Sequence, residues 1–344
     1  AESFWAEIQN APVRTEIART IEVTRDVAQR MNGFERRVVP AGRSGVFFHI
    51  DVHDELLYYT VVAGGQDFSA DVIDYGTWPE QPTPWFTLRT AKRTLSKHYK
   101  SVSPEESIES GVHDLLKLLF DQRWENSAGQ RIPIECGLVD AGYKPTEVAT
   151  AIRMHGSDKV LTSAGLPIGA TSKPLPEYDL KPKRSFRHGP DPVRPRWYLP
   201  TEHYINGVYR IHFDTNFWKS VTASRLVQAP NKPAAWALFG KPSGSQDHLP
   251  YVEHLMAERP REVTANGRTI DEWKQIASRD NHWLDTLVGC AVAMSLAGMQ
   301  LPTRAAAPET QVIVRPKAPR VEAGQGRDRS EGGGLRDSFF VTAR

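Results

Sequence analysis

The stretch Gly45-Val46-Phe47-Phe48-His49-Ile50-Asp51-Val52-His53, with Asp54-Glu55-Leu56-Leu57-Tyr58-Tyr59-Thr60-Val61-Val62-Ala63 directly behind it, decides how this chain is read. Val46 to Ile50 are apolar or aromatic β-formers apart from His49, and Asp51 then interrupts them. A carboxylate at the end of a buried strand costs several kcal/mol unless it is paired, and a metal ion is a common partner. A surface-facing acid at a strand end is the other reading, and this stretch alone leaves both open. Asp54-Glu55 make a tight hairpin into the second run, and a third run, Phe68 to Tyr75, follows a turn at Gly64-Gly65. Asp51 is therefore expected on the first strand of a three-stranded antiparallel meander.

Downstream, Ser103-Pro104-Glu105-Glu106 opens a helix with Ser as N-cap, Pro at the first position and Glu at the third. Ile108, Val112, Leu115, Leu116 and Leu119 give that helix one apolar face, which is core. Arg131 to Tyr143 then repeats the opening pattern: an apolar strand ends in Asp140, a glycine turn follows, and Pro145-Thr146-Glu147-Val148 starts a helix to about His155. Val160 to Ser163 is the next strand. A βαβ unit after a meander predicts an α/β fold, a mixed sheet with helices on both faces. Gly207 to Phe213 reads as another strand, ending at Asp214, which is placed to cap the helix carrying Asn216, Trp218 and Lys219. Tyr251 to Glu258 reads as a short helix, with a further strand around Arg261 to Val263. Asp280-Asn281-His282-Trp283-Leu284-Asp285 opens a long apolar helix rich in small residues, with Asp285 on the face of Asn281 and His282.

The chain has 344 residues, enough for one large domain or two small ones, and 43 Lys and Arg against 41 Asp and Glu leave a formal charge of +2, so overall charge does not mark a nucleic-acid binder. Distribution says more. Lys173, Lys181, Lys183, Arg184, Arg187, Arg194 and Arg196 crowd a proline-rich stretch with few acids, read as a basic, poorly regular loop suited to phosphate contacts. Lys181, Lys183, Arg184 and Arg187, together with Lys219, are the candidate DNA contacts. Cys136 and Cys290 form no CxxC pair, which speaks against a zinc knuckle or disulfide framework and fits a reducing cytoplasm. No apolar run approaches the roughly 18 residues of a membrane span, so no membrane partner is expected. Gly165-Leu166-Pro167-Ile168-Gly169 lacks the Lys-Ser/Thr of a phosphate-binding loop, so no ATPase domain is encoded here. Beyond about Pro302 the pattern loses periodicity and becomes basic and Gly-rich.

Three acids, Asp51, Asp140 and Asp285, stand at the edges of buried elements. Phosphodiester hydrolysis by two Mg²⁺ or Mn²⁺ ions needs such a set, one ion activating water and the other stabilising the leaving oxygen. His53 and His282 are auxiliary candidates beside the ions, with Asp214 ranked lower because capping explains it. His49, Asp51 and His53 alternate and share a strand face, but no further His/Cys cluster completes a zinc site.

Several segments resemble one family. Phe4-Trp5-Ala6-Glu7-Ile8-Gln9-Asn10-Ala11-Pro12 resembles the E-x-Q-N-x-P segment that closes the ATPase domain of lambda-like, gpA-type phage large terminase subunits. His49-Ile50-Asp51-Val52-His53 resembles that family's G-V-D-V-Q strand, Val139-Asp140-Ala141-Gly142-Tyr143 its D-S-G-Y, and Arg279-Asp280-Asn281-His282-Trp283-Leu284-Asp285 its R-N-E-x-L-D. The resemblance implies a ribonuclease H-like nuclease that cuts concatemeric viral double-stranded DNA, with Asp51, Asp140 and Asp285 as metal ligands. It implies an ATPase domain or subunit, the small terminase subunit and the portal as partners, in the host cytoplasm. His53 and His282 depart from the Gln and Glu usual at their positions. The expected organisation is 1–40 as the tail end of a missing ATPase domain, 41–302 as the nuclease domain with its basic loop at 173–200, and 303–344 as a disordered basic tail. A resolvase or transposase on the same fold, and a non-catalytic DNA- or portal-binding adaptor, are the competing readings.

Overall fold

The computed structural model describes residues 26–173, 175, 186–188, 196–200, 204–229, 232–241 and 247–301. Its strands are β1 (Val38–Val39), β2 (Gly45–Val52), β3 (Leu57–Gly64), β4 (Ala70–Trp78), β5 (Glu125–Asn126), β6 (Ile134–Asp140), β7 (Val160–Leu166), β8 (Phe186–His188), β9 (Trp197–Pro200), β10 (Arg210–Asp214), β11 (Trp236–Leu238), β12 (Glu258–Ala265) and β13 (Arg268–Gln275). The helices are α1 (Leu95–His98), α2 (Pro104–Asp121), α3 (Pro145–His155), α4 (Thr215–Val227), α5 (Leu249–Leu255) and α6 (His282–Leu296).

Nine strands form one mixed sheet in the order β11-β4-β3-β2-β6-β7-β10-β9-β8. β2 and β3 are antiparallel across the Asp54-Glu55 turn, and β4 completes the meander. β6 then pairs parallel with β2, β7 with β6, and β10 with β7. Every residue of β2 is buried, as expected of a central strand covered on both faces. The meander followed by a parallel crossover is the ribonuclease H-like arrangement.

Alternation along β2 sorts the two cores. Val46, Phe48, Ile50 and Val52 pack with Ile108 and Leu115 of α2 and with Val148 and Ile152 of α3. Phe47, with Tyr58 of β3 and Leu138 of β6, faces Trp218 of α4, Tyr251 of α5 and Leu287 and Ala291 of α6. Asp51 and Asp140 share strand faces with Phe47 and Leu138, so both belong to the α6 side. α2 starts as its sequence dictates: Ser103 Oγ accepts from the Glu106 amide at 3.1 Å, and the Glu106 carboxylate accepts from the Ser103 amide at 2.8 Å.

Four expectations change. Residues 26–40 pack on the main sheet and do not lie outside it: the Asn32 amide bonds to the Leu238 carbonyl at 2.8 Å, and Arg36 and Arg37 pair with the buried Asp74 at 2.5 and 2.7 Å. The third strand is Ala70–Trp78, because Phe68, at φ 64°, belongs to the turn. The segment around Arg261 is half of a separate antiparallel hairpin, β12–β13. Part of the basic loop is regular: β8 and β9 extend the sheet beyond β10. Lys181, Lys183 and Arg184 lie outside the described residues, as does the 303–344 tail; the backbone of Arg187 pairs with Leu199. Among the described residues no helix is long and apolar enough to cross a membrane.

Candidate active site

Parallel pairing of β2 with β6 fixes the first two acids. Ile50 stands opposite Val139, which brings Asp51 and Asp140 to the same carboxyl-terminal edge of adjacent strands. Open α/β sheets place ligands at that edge. Packing brings in the third acid. A Cβ on Gly289 would fall 2.0 Å from the His49 ring, so only glycine lets α6 settle this closely on β2. Asp285 lies one helical turn before Gly289, and Asp51 two residues after His49 on the same strand face. The close seating of α6 therefore carries Asp285 to the acids on the strands.

Asp51 is the hub. His53 Nε2 lies 2.8 Å and His282 Nδ1 3.1 Å from its Oδ2. Metal-binding atoms of Asp51, His53 and His282 lie within 4.8 Å of one another, a set that could hold one cation. Burial works against the Asp51 charge, but His53 and His282 outweigh it and hold the carboxyl well below its ordinary value. Burial also opposes the charged form of His53, yet Asp51, with smaller contributions from Asp140 and Asp285, raises its pKa. Asp140 has no such compensation. Burial and then the Asp51 charge push it up to about 7, although its Oδ2 accepts from the Gly142 amide at 3.3 Å.

Asp285 is held differently. Lys219 Nζ stands 3.0 Å from its Oδ1 and 2.5 Å from Glu258 Oε1. Asn281 Nδ2 donates to Asp285 Oδ2 at 2.9 Å and to Glu258 Oε1 at 2.6 Å. Burial disfavours the ammonium charge, but Asp285 and Glu258 prevail and raise the Lys219 pKa. This corrects the expectation that Lys219 contacts DNA: its side chain is 11% exposed and is spent on carboxylates inside the fold. Sequence reading missed this role and missed Glu258 entirely. Nothing in the sequence signals it, since a lysine between Trp218 and Ser220 on a helix reads the same whether solvated or paired.

An aromatic wall backs the histidines. The Tyr58 ring stacks on His282 at 4.5 Å, and the His53 and His282 rings meet at 4.1 Å. His254 lies 6.0 Å from His282, and burial lowers its pKa to about 4. Asp214, ranked low in the sequence as a cap, and His49, considered there only for a zinc site, sit elsewhere. Asp214 caps α4, accepting from the Phe217 amide at 3.1 Å, with Arg196 3.5 Å away. His49 bonds to Ser163 Oγ at 3.0 Å and packs under α6, outside the Asp51–His53–His282 set.

No curated protein sequence matches the chain. A family model does, that of the terminase large subunit gpA endonuclease domain, across residues 16–306. The match takes in every strand and helix that builds the acidic edge, and the two strand acids and the helix acid fall within it. The chain belongs to the terminase large subunit gpA endonuclease-domain family, a nuclease of viral DNA packaging.

Proposed function

We propose that the chain is a metal-dependent endodeoxyribonuclease that cuts concatemeric double-stranded viral DNA during packaging, by two-metal phosphodiester hydrolysis at Asp51, Asp140 and Asp285. The observation that carries this reading is the convergence of these acids on one sheet edge, with an Asp51–His53–His282 set whose donor atoms lie within 4.8 Å. That donor set fits a divalent cation: one carboxylate and two imidazoles within reach of one ion. Asp140 and Asp285 would complete a second position, with Mg²⁺ or Mn²⁺ as the ions. Bound there, the ions would supply an activated water and charge stabilisation at the leaving oxygen.

The chain's own residues have separable tasks. His53 and His282 orient Asp51, and Tyr58 fixes the His282 ring by stacking. Lys219 and Asn281 fix both oxygens of Asp285, although burial outweighs the ammonium and raises the Asp285 carboxyl pKa to about 6. Two imidazoles on Asp51 favour Mn²⁺ over Mg²⁺, which prefers oxygen ligands throughout. The ATPase domain or subunit, the small terminase subunit and the portal are the proposed partners, in the host cytoplasm.

Plasmid cleavage in Mg²⁺, Mn²⁺ or EDTA tests the reading. Metal-dependent nicking or linearisation is expected, stronger in Mn²⁺ and lost in Asp51→Asn while its circular dichroism is unchanged. Retained cleavage in the folded variant would refute it.

A further inference from the structure

Beside the acidic edge lies a cavity of about 400 Å³ that the three acids do not use. Trp85, Phe86, Pro250, His254, Arg279 and Asp280 are among its walls. Trp85 is 53% exposed, unusual for the largest apolar side chain in a fold that buries Trp218, Trp236 and Trp283. The cavity joins the site through ring contacts: Phe86 stacks on Tyr58 at 6.2 Å, and Tyr58 on His282 at 4.5 Å. The wall is also fixed in place, since the Leu88 amide donates to Asp280 Oδ2 at 2.9 Å, two residues before His282. His254 Nδ1 is buried there and has no hydrogen-bond partner among the described residues. The strap leading away from Trp85 carries Arg89, Lys92, Arg93, Lys97 and Lys100, all exposed.

An exposed indole over a cavity, with a run of solvated cations behind it, is the composition of a single-strand site: the bases stack on the ring and the phosphates follow the charge. We infer that the Trp85 cavity takes one unstacked nucleobase next to the scissile phosphate, while Arg89, Lys92 and Arg93 hold the phosphates beyond it. This rests on the nuclease reading for its place in the reaction. A base in a continuous duplex cannot offer its face to Trp85, so the cavity selects a frayed, nicked or locally melted strand.

Fluorescence anisotropy of a labelled 12-nucleotide single strand and of a blunt duplex, both in EDTA, tests the inference. Trp85→Ala is expected to weaken single-strand binding about tenfold and to leave duplex binding nearly unchanged, with Trp85→Phe retaining most of the affinity. Arg89→Ala and Lys92→Ala should each lower the salt slope for the single strand by about 0.7. Circular dichroism confirms folding of each variant; the high exposure of Trp85 makes it a safe substitution. Equal effects of Trp85→Ala on both DNAs, or none on either, would overturn the inference. The nuclease reading fails separately: Asp51→Asn should bind the single strand like wild type, so a Trp85 effect without any metal-dependent cleavage would sink the nuclease and leave the base site standing.

Discussion

Asp140 is the residue whose burial costs the fold most visibly. Its ordinary carboxyl pKa is 3.8, and in the folded chain burial and the Asp51 charge raise it to about 7. The folded state therefore holds a proton that the unfolded state has released. The stability from that proton is complete below the unfolded value and is lost as pH rises through the folded one. Asp140→Asn removes the effect. In EDTA, the variant should gain on wild type by about 1.4 kcal/mol per pH unit between about pH 4 and pH 7, then level off. Denaturant unfolding of both proteins across that range checks it, and saturating Mn²⁺ should erase the gain above pH 7 because the ion needs the ionised acid. Lys219 makes the opposite case. Lys219→Met leaves Glu258, 5% exposed, beside Asp285 with no cation between them, and should cost about 3 kcal/mol in urea melts. The double variant Lys219→Met/Glu258→Gln should recover much of that loss. Asp51 was legible in the sequence because a charge breaks an apolar run. Lys219 was misread because a lysine in a helix looks the same in sequence whether its head meets solvent or two carboxylates.

At the scale of elements, patterning carried the fold where local chemistry is strong. The Asp54-Glu55 turn, the Ser103–Glu106 capping box and the Pro145–His155 helix all stand where their residues put them. It failed where pairing depends on distant partners: β8 and β9 are strands because β10 offers an edge, and nothing within Lys173–Arg196 announces that. α6 illustrates both. Its apolar, small-residue run was readable, but that Gly289 sits against His49 emerges only from the packing. The prediction follows from that contact. Gly289→Ala places a Cβ 2.0 Å from a buried ring that cannot withdraw, and should cost about 1–3 kcal/mol in chemical denaturation. Because Asp285 rides on the same helix face, the variant should also lose cleavage out of proportion to its stability. A variant as active as wild type would show that α6 seating does not set the Asp285 position.

For the molecule as a whole, three acids separated by up to 234 residues in sequence meet because a parallel strand pair and one helix share a sheet edge. Their order and element types were visible beforehand, with His53 and His282 as candidates beside them; the meeting of both rings on Asp51, the Lys219–Glu258 brace and the aromatic cavity were not, since each needs side chains from elements far apart in sequence. The central claim is that this edge binds divalent metal through Asp51. Calorimetric titration of Mn²⁺ into the metal-free chain tests it most directly. Saturable binding is expected in the wild type and its loss in Asp51→Asn, with the variant still folded in EDTA by circular dichroism. Mn²⁺ binding of undiminished affinity in folded Asp51→Asn would contradict it.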